Sequence, residues 1–524
     1  MASTKATPSS APAAAAAATA TARRTGQFEV LALMFLVIIG SSWILRPVKE
    51  GIFYITVGLE HIPLARMLSF VVMIPIMMVY SKLVDWCARE RLLYVVCSVY
   101  GAVFSLVGLV MHCIPTGSSA AAAAAASSSN LDTLILQSIG WVTFFAVESC
   151  ASISAAMFWS FVQLTVRGTE ASDKKGYVLI TAAAQIGSIG GSQLATSVEH
   201  FGIPSLTAFG GLLLFGVVGI TYIYARCFIH TNERTRNNNN ATTEHEPSSK
   251  QRRSGGDDDK AAQTGALAGL QLVFSDWYLV GIFIVCSISE VVSIVVDFQM
   301  KMLAKDQFPA GDQFAAYMAR FGVWSNCASL AVSLLLWLTG FVERMSLTTI
   351  VLAFPLLMSV VLSWCWIEPN LEAMFFALVA MKGLGYGLNN PAKQLLYRPV
   401  ARHTITRVKG WIDVFGGTHA CAPTHRPEFL THSLPHSLTI SIGRGAKAAG
   451  SVLTSLISGS IERLLNYGMA INLALVGVWV AFAVGVVQAY SHRLALQQMQ
   501  AETISSGVDG VSTSNLSKSS PHTK

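Results

Sequence analysis

Between Ala380 and Ser451 this chain carries Lys382, Lys393, Arg398, Arg402, Arg407, Lys409, Asp413, Arg444 and Lys447, while hydrophobic sequence runs up to the stretch and away from it. Ionised side chains at that density inside apolar surroundings are costly, and chains keep them where they act on ions or substrates. A guanidinium offers a forked pair of donors and an ammonium a point charge, and both suit phosphate oxygens. The chemistry these residues point to is a path for a polyanion.

Other charges stand inside apolar runs. Arg46, Lys49 and Glu50 lie in FEVLALMFLVIIGSSWILRPVKEGIFYITVGLE. Arg46 and Lys49 are three residues apart and share a helix face. They can clamp phosphate, or they can snorkel to headgroups with Arg46 neutralised by Glu50. Pro47 between them frees a backbone carbonyl. Glu148, in FFAVESCASISAAMFWSF, needs a basic partner or a proton. Glu290 and Asp297 are seven apart on nearly one face, and Asp297 can also pair with Lys301. Lys382 and Lys393 are eleven apart and almost in register. The GLGYGLNNP between them is poor helix, a break of the kind that lines an aqueous cavity. Lys409 and Asp413 form an i, i+4 pair.

The elements that must position these groups are membrane spans. The 524 residues are 52% hydrophobic and 12% charged, about half the charge of a soluble protein. Apolar runs of about 20 residues predict an all-α polytopic membrane protein. Spans are expected near 28–57, 62–84, 92–114, 132–166, 176–198, 206–229, 275–300, 314–341, 346–367, 371–398, 405–465 (interrupted) and 470–491. That makes about twelve transmembrane helices. Residues 1–27 read as a low-complexity tail or a transit peptide, 230–274 as a polar linker, and 492–524 as a disordered tail. Basic residues recur in alternate loops, which places both termini and the linker in the cytoplasm. Which membrane holds the protein, an organelle envelope or the plasma membrane, stays open.

The two halves, 28–229 and 275–491, look like repeats. KLVDWCARERLLYVV follows the second span and GFVERMSLTTIVLAF the eighth; FFAV opens the fourth and FFAL the tenth. Shared order of this kind predicts two six-helix halves and a major-facilitator-like fold. One insert does not belong. Residues 417–442 are rich in His and Pro, and removing them leaves KGWIDVFG-GRGAKAAGSVLTSLISGSI, a single Gly/Ala-rich span. We read the insert as an intron retained in the coding sequence; a genuine loop outside the membrane is the alternative. The nine cysteines form no CxxC, and the sequence has no HExxH, Walker loop or GxSxG, so neither a metal centre nor an enzyme is indicated, and no cofactor. The basic residues lie in short loops rather than in one soluble module, so no nucleic acid is expected.

Several segments resemble the nucleotide transporter family, the ATP/ADP translocases of plastids and of intracellular bacteria. LRPVKE at 45–50, ESCASISAAMFWSFVQ at 148–163, SISEVV at 287–292, PAKQLLYRP at 391–399, KGWIDVFG and GRGAKAAGS are similar to its motifs. The chain departs from them at Gln394, where the family has Glu, and at Gln163 and Leu164. The resemblance implies a nucleotide carrier unrelated to mitochondrial carriers, with Lys49, Glu148, Glu290, Lys393 and Lys409 needed for transport. The reading that follows is an ATP/ADP exchanger working by alternating access, with a site near the midplane. Arg46, Lys49, Lys393 and Lys409 or Arg444 hold the phosphates, and Glu148 and Glu290 keep those bases apart when the site is empty. ATP, ADP and the lipid bilayer are its expected partners, and a monomer its working form. A carrier of another organic anion or sugar phosphate, or a non-transporting scaffold, is the alternative.

Overall fold

The computed structural model describes residues 11–86, 89–113, 130–165, 170–229, 274–339, 344, 346–389, 396–397, 399–400, 445–457 and 461–516. They hold twelve α-helices: α1 (Ala11–Thr56), α2 (Ile62–Trp86), α3 (Arg89–Cys113), α4 (Asn130–Thr165), α5 (Glu170–Ala195), α6 (Val198–Tyr224), α7 (Trp277–Gln307), α8 (Gly311–Thr339), α9 (Leu347–Ile367), α10 (Leu371–Leu384), α11 (Gly445–Ile457) and α12 (Ile461–Leu516). Among the described residues, eight helices are long and apolar enough to cross a membrane. α2 and α5, at 25 and 26 residues, have the length and lie where two more spans are expected. Outward faces stay apolar, with Leu106, Leu109, Val360 and Ile367 all exposed. In water such faces would be a liability; in a bilayer they meet acyl chains.

Two ends differ from expectation. α1 starts at Ala11, inside the low-complexity segment, because an alanine run is the best helix former there is. α12 continues to Leu516, well into the stretch read as a disordered tail. RLALQQMQAE, past the last apolar run, is built from strong helix formers. The expected break in the tenth span is present: α10 passes into a π-helical turn at Gly385–Asn389. The insert 417–442 lies outside the described residues.

The chain divides into two compact units. Among the described residues, the first holds those from 11 to 229 and Phe298–Leu330. In it α1 is the central staff, packed on α4, α5 and α6, while α3 packs on α4 and α6. Glycines set these approaches. A methyl group on Gly187 would lie 2.5 Å from the Leu36 carbonyl oxygen, and one on Gly211 would lie 2.7 Å from that of Gly101. Small residues let helix backbones meet where lipid supplies no hydrophobic drive. Two glycines also have positive φ, Gly58 after α1 and Gly202 inside α6, and each turns the chain there. Aromatic rings fill one end of the core, where Phe35 stacks on Phe158 at 4.2 Å.

The second unit holds, among the described residues, those within 274–297, 331–400 and 445–516. Here α9 packs on α10 and α12. Arg493 of α12 grips the Asp276 carboxylate with two bonds, at 2.9 and 2.6 Å, and stacks over Tyr278. Tyr278 donates to the Leu396 carbonyl, so one end of α7 is tied to α12 and to the chain that follows α10.

Candidate functional site: charges along the first helix

About two turns of α1, from Trp43 to Glu50, carry the site. Lys49 is 5% exposed and forms an ion pair with Glu148, near the middle of α4. Its ammonium also rests 4.5 Å from the centre of the Phe144 ring. Glu148 keeps 31% of its side chain exposed, so the carboxylate is the more accessible partner. The next residue points elsewhere, as a rotation of about 100° per residue requires. Glu50 accepts a bond of 2.7 Å from Lys301 of α7, and both side chains are largely buried. Helical rotation alone therefore separates two opposite charges and gives each its own counter-ion.

Arg46 stands one turn back from Glu50. Its guanidinium lies 4.7 Å over the Trp43 ring, and no ion pair to it is found among the described residues. It is half-buried. Pro47 follows it inside the helix and leaves the Trp43 carbonyl without its usual amide partner. α8 passes close by: a methyl group on Gly322 would lie 3.4 Å from the Trp43 ring and 2.9 Å from Ser192 Oγ of α5. Beside it Asn326 donates to the Ser188 carbonyl and to Ser192, each at 3.4 Å. A cavity of about 220 Å³ opens here, lined by Gln193, Thr196, Arg320, Val323 and Trp324. It would take water or a phosphate-sized group, whereas ligand pockets run to roughly 300–1,000 Å³.

The expected residues fall into three groups. Lys49 and Glu148 are brought together. Arg46 and Lys49 share a helix but not a task, since Lys49 is already paired and Arg46 lies, among the described residues, against an indole. Glu290 lies in the second unit, half-buried on α7, and no bond or ion pair to it is found among the described residues. Lys393, Lys409 and Arg444 lie outside the described residues. Arg46 is not neutralised by Glu50, because Lys301 holds that carboxylate. Sequence reading missed Lys301 as a partner of Glu50, some 250 residues away; i, i+4 spacing finds only local pairs. Trp43 was equally invisible, one tryptophan among eleven.

A buried lysine–carboxylate pair beside an arginine held by a ring, in the midst of spans, is an arrangement able to receive an anion. Comparison with known proteins agrees with it. The profile of the TLC ATP/ADP transporter family matches residues 21–416, about three quarters of the sequence. The chain belongs to that family. It is a membrane transporter of the nucleotide-carrying kind. Among solved structures it is similar to a bacterial homologue of the iron transporter ferroportin in the inward-facing state, with 12% identity, a TM-score of 0.54, and 88% of this chain and 98% of that one covered. It is also similar to a bacterial homologue of the human lysosomal transporter Spinster, with 11% identity, a TM-score of 0.51, and 90% and 98% covered. Identities so low bear on the fold alone. They place the transporter in the major-facilitator-like class expected from its repeats. No curated protein sequence matches it significantly.

Proposed function

We propose that this transporter exchanges ATP for ADP by alternating access. Arg46 and Lys49 take the phosphates, and Glu148 is the counter-ion that Lys49 leaves when the substrate arrives. One observation carries the reading: a lysine buried at 5% exposure has a carboxylate partner, while an arginine one turn away has, among the described residues, an indole and no carboxylate. A polyanion can satisfy both cations, and Glu148, the more exposed partner, can then turn away from Lys49. Exchange suits the electrostatics. ATP carries about four negative charges, and each unpaired charge moved through 100 mV costs about 2.3 kcal/mol. Swapping one nucleotide for another cancels most of that cost.

Glu290, Lys393, Lys409 and Arg444 belong to the same proposal, as do six-helix halves at 28–229 and 275–491, cytoplasmic termini and a monomeric working form. The test is uptake of labelled ATP into liposomes holding purified protein, loaded with ADP or left empty. Uptake that needs internal ADP, and is competed by ATP and ADP more strongly than by phosphate or a sugar phosphate, is the expected result. Uptake indifferent to internal nucleotide, or competed best by a sugar phosphate, would overturn it.

A further inference from the structure

The first unit joins stretches of chain far apart in sequence, and it joins them by charge. Glu50 on α1 pairs with Lys301 on α7. Glu60, just after α1, pairs with Lys305 on α7. Glu199, at the start of α6, meets Arg320 on α8 at 3.5 Å. In all three the acid comes from the stretch before residue 230 and the base from 298–330. Scattered surface pairs would mix the signs, whereas these make two complementary faces.

Uncharged contacts run along the same seam. Tyr54 donates to the Pro309 carbonyl at 3.1 Å. A methyl group on Gly51 would lie 2.8 Å from the Ala315 side chain and 3.0 Å from the Gly311 carbonyl oxygen. Ser192, fully buried, receives Asn326. Side chains also pack across the seam, Ile55 on Gly311 and the Tyr54 ring 5.2 Å from that of Phe314, so parting the faces uncovers apolar surface as well as breaking the ion pairs. The charged pairs differ in strength. Glu60 with Lys305 and Glu199 with Arg320 are largely exposed and individually weak. Glu50 with Lys301 is buried and lies next to Lys49 in sequence.

We propose that these three pairs form an ionic latch, which holds shut the approach to Lys49 and Arg46 from the Thr56 end of α1 and opens in each transport cycle. Its coupling to cargo rests on the nucleotide reading above: an anion at Arg46 and Lys49 repels Glu50 and attracts Lys301, which loosens the innermost pair. Glu60, Glu199, Lys305 and Arg320 then control access without themselves holding the substrate.

The full-length protein tests this in liposomes, carrying Ser192→Cys as a reporter buried in the seam. A membrane-impermeant maleimide is added, and modification at residue 192 is read by peptide mass, apart from the native cysteines. In the variant Glu60→Gln with Glu199→Gln, labelling should speed up about three- to tenfold, the span expected from removing two exposed pairs. Exchanging the signs (Glu60→Lys with Lys305→Glu, and Glu199→Arg with Arg320→Glu) should return the rate to within about twofold of the parent. Unchanged labelling in the neutralised variant, or fast labelling in the exchanged one, would overturn the latch. Should the double variant fail to fold, Lys305→Gln alone should accelerate labelling in the same direction at smaller amplitude, and an unchanged rate there would overturn the latch equally. ATP exchange by the unsubstituted protein is scored separately, so a failed latch and a failed nucleotide reading show different signatures.

Discussion

Taking Lys49 out of water is expensive, and Glu148 offsets that expense only while both are charged. Removing one partner leaves the other ionised or forces it neutral, at a cost of about 3–5 kcal/mol; removing both charges costs less than removing either. Lys49→Gln and Glu148→Gln should each lower the melting temperature in detergent and abolish exchange. The double variant should melt closer to the parent yet remain inactive, which separates the structural role of the pair from its part in transport. Arg46 makes a different forecast, having no carboxylate partner among the described residues. Arg46→Lys keeps the charge but gives up the fork and the stacking on Trp43, so the half-saturating ATP concentration should rise about tenfold, equivalent to about 1.4 kcal/mol, with the melting temperature nearly unchanged. Glu60 lies outside the spans, and its bond to the Lys305 ammonium holds its carboxyl below the ordinary carboxylate range. A depressed folded-state value means the pair contributes fully above about pH 4.3 and is lost as pH falls through the lowered value. Labelling at Ser192→Cys, divided at each pH by the reagent's rate with a free thiol because the reactive thiolate grows scarcer in acid, should therefore rise on acidification below the ordinary carboxylate range, and Glu60→Gln should flatten that response. The identities of Lys49 and Glu148 were legible in the sequence because charge amid apolar residues stands out. Their pairing was not, since 99 residues separate them and spacing carries no long-range information.

At the scale of elements, the glycine seams decide how closely helices approach. Gly191 of α5 faces the Gly40 backbone, and Gly187 faces that of Leu36, with no room for a side chain. Gly216 of α6 has nothing within 4 Å of where a methyl group would be. Gly187→Val should force α1 and α5 apart and cost several kcal/mol, at the upper end of about 1–3 kcal/mol for overpacking or beyond it, because backbone atoms cannot rotate away. Gly216→Ala should be neutral or slightly stabilising, since alanine is the better helix former. Thermal melting of the two variants side by side checks the contrast. Helix positions followed directly from hydropathy: most observed bounds fall within a few residues of the expected spans. α1 and α12 overrun their apolar runs because alanine-rich and Leu/Gln-rich flanks have high helix propensity, which hydropathy does not measure. The π-helical turn at Gly385–Asn389 was readable as a break, because three glycines and two asparagines in GLGYGLNN weaken a helix, but its hydrogen-bond shift was not.

Across the whole molecule the fold class was legible, because repeated hydropathy and internal likeness survive where residue identity does not, as the solved structures at 11–12% identity illustrate. The long-range ionic pairings that gather 298–330 with the first half of the chain were not, since they depend on how helices assemble rather than on any local pattern. One boundary bears on the segment 417–442. The family profile ends its match at residue 416, immediately before the insert begins at Gly417. Past the insert, GRGAKAAGS again resembles the family, and α11 begins at Gly445 with the small residues of a packed span. Joining VKGWIDVFG directly to GRGAKAAGSVLTSLI gives one Gly/Ala-rich stretch long enough for a span. A protein lacking 417–442 should therefore fold at least as well as the full chain and exchange ATP for ADP at an equal or higher rate in liposomes. Loss of both exchange and thermal stability on deletion would show that the segment is an integral loop, and mature transcripts that retain its codons would show the same independently.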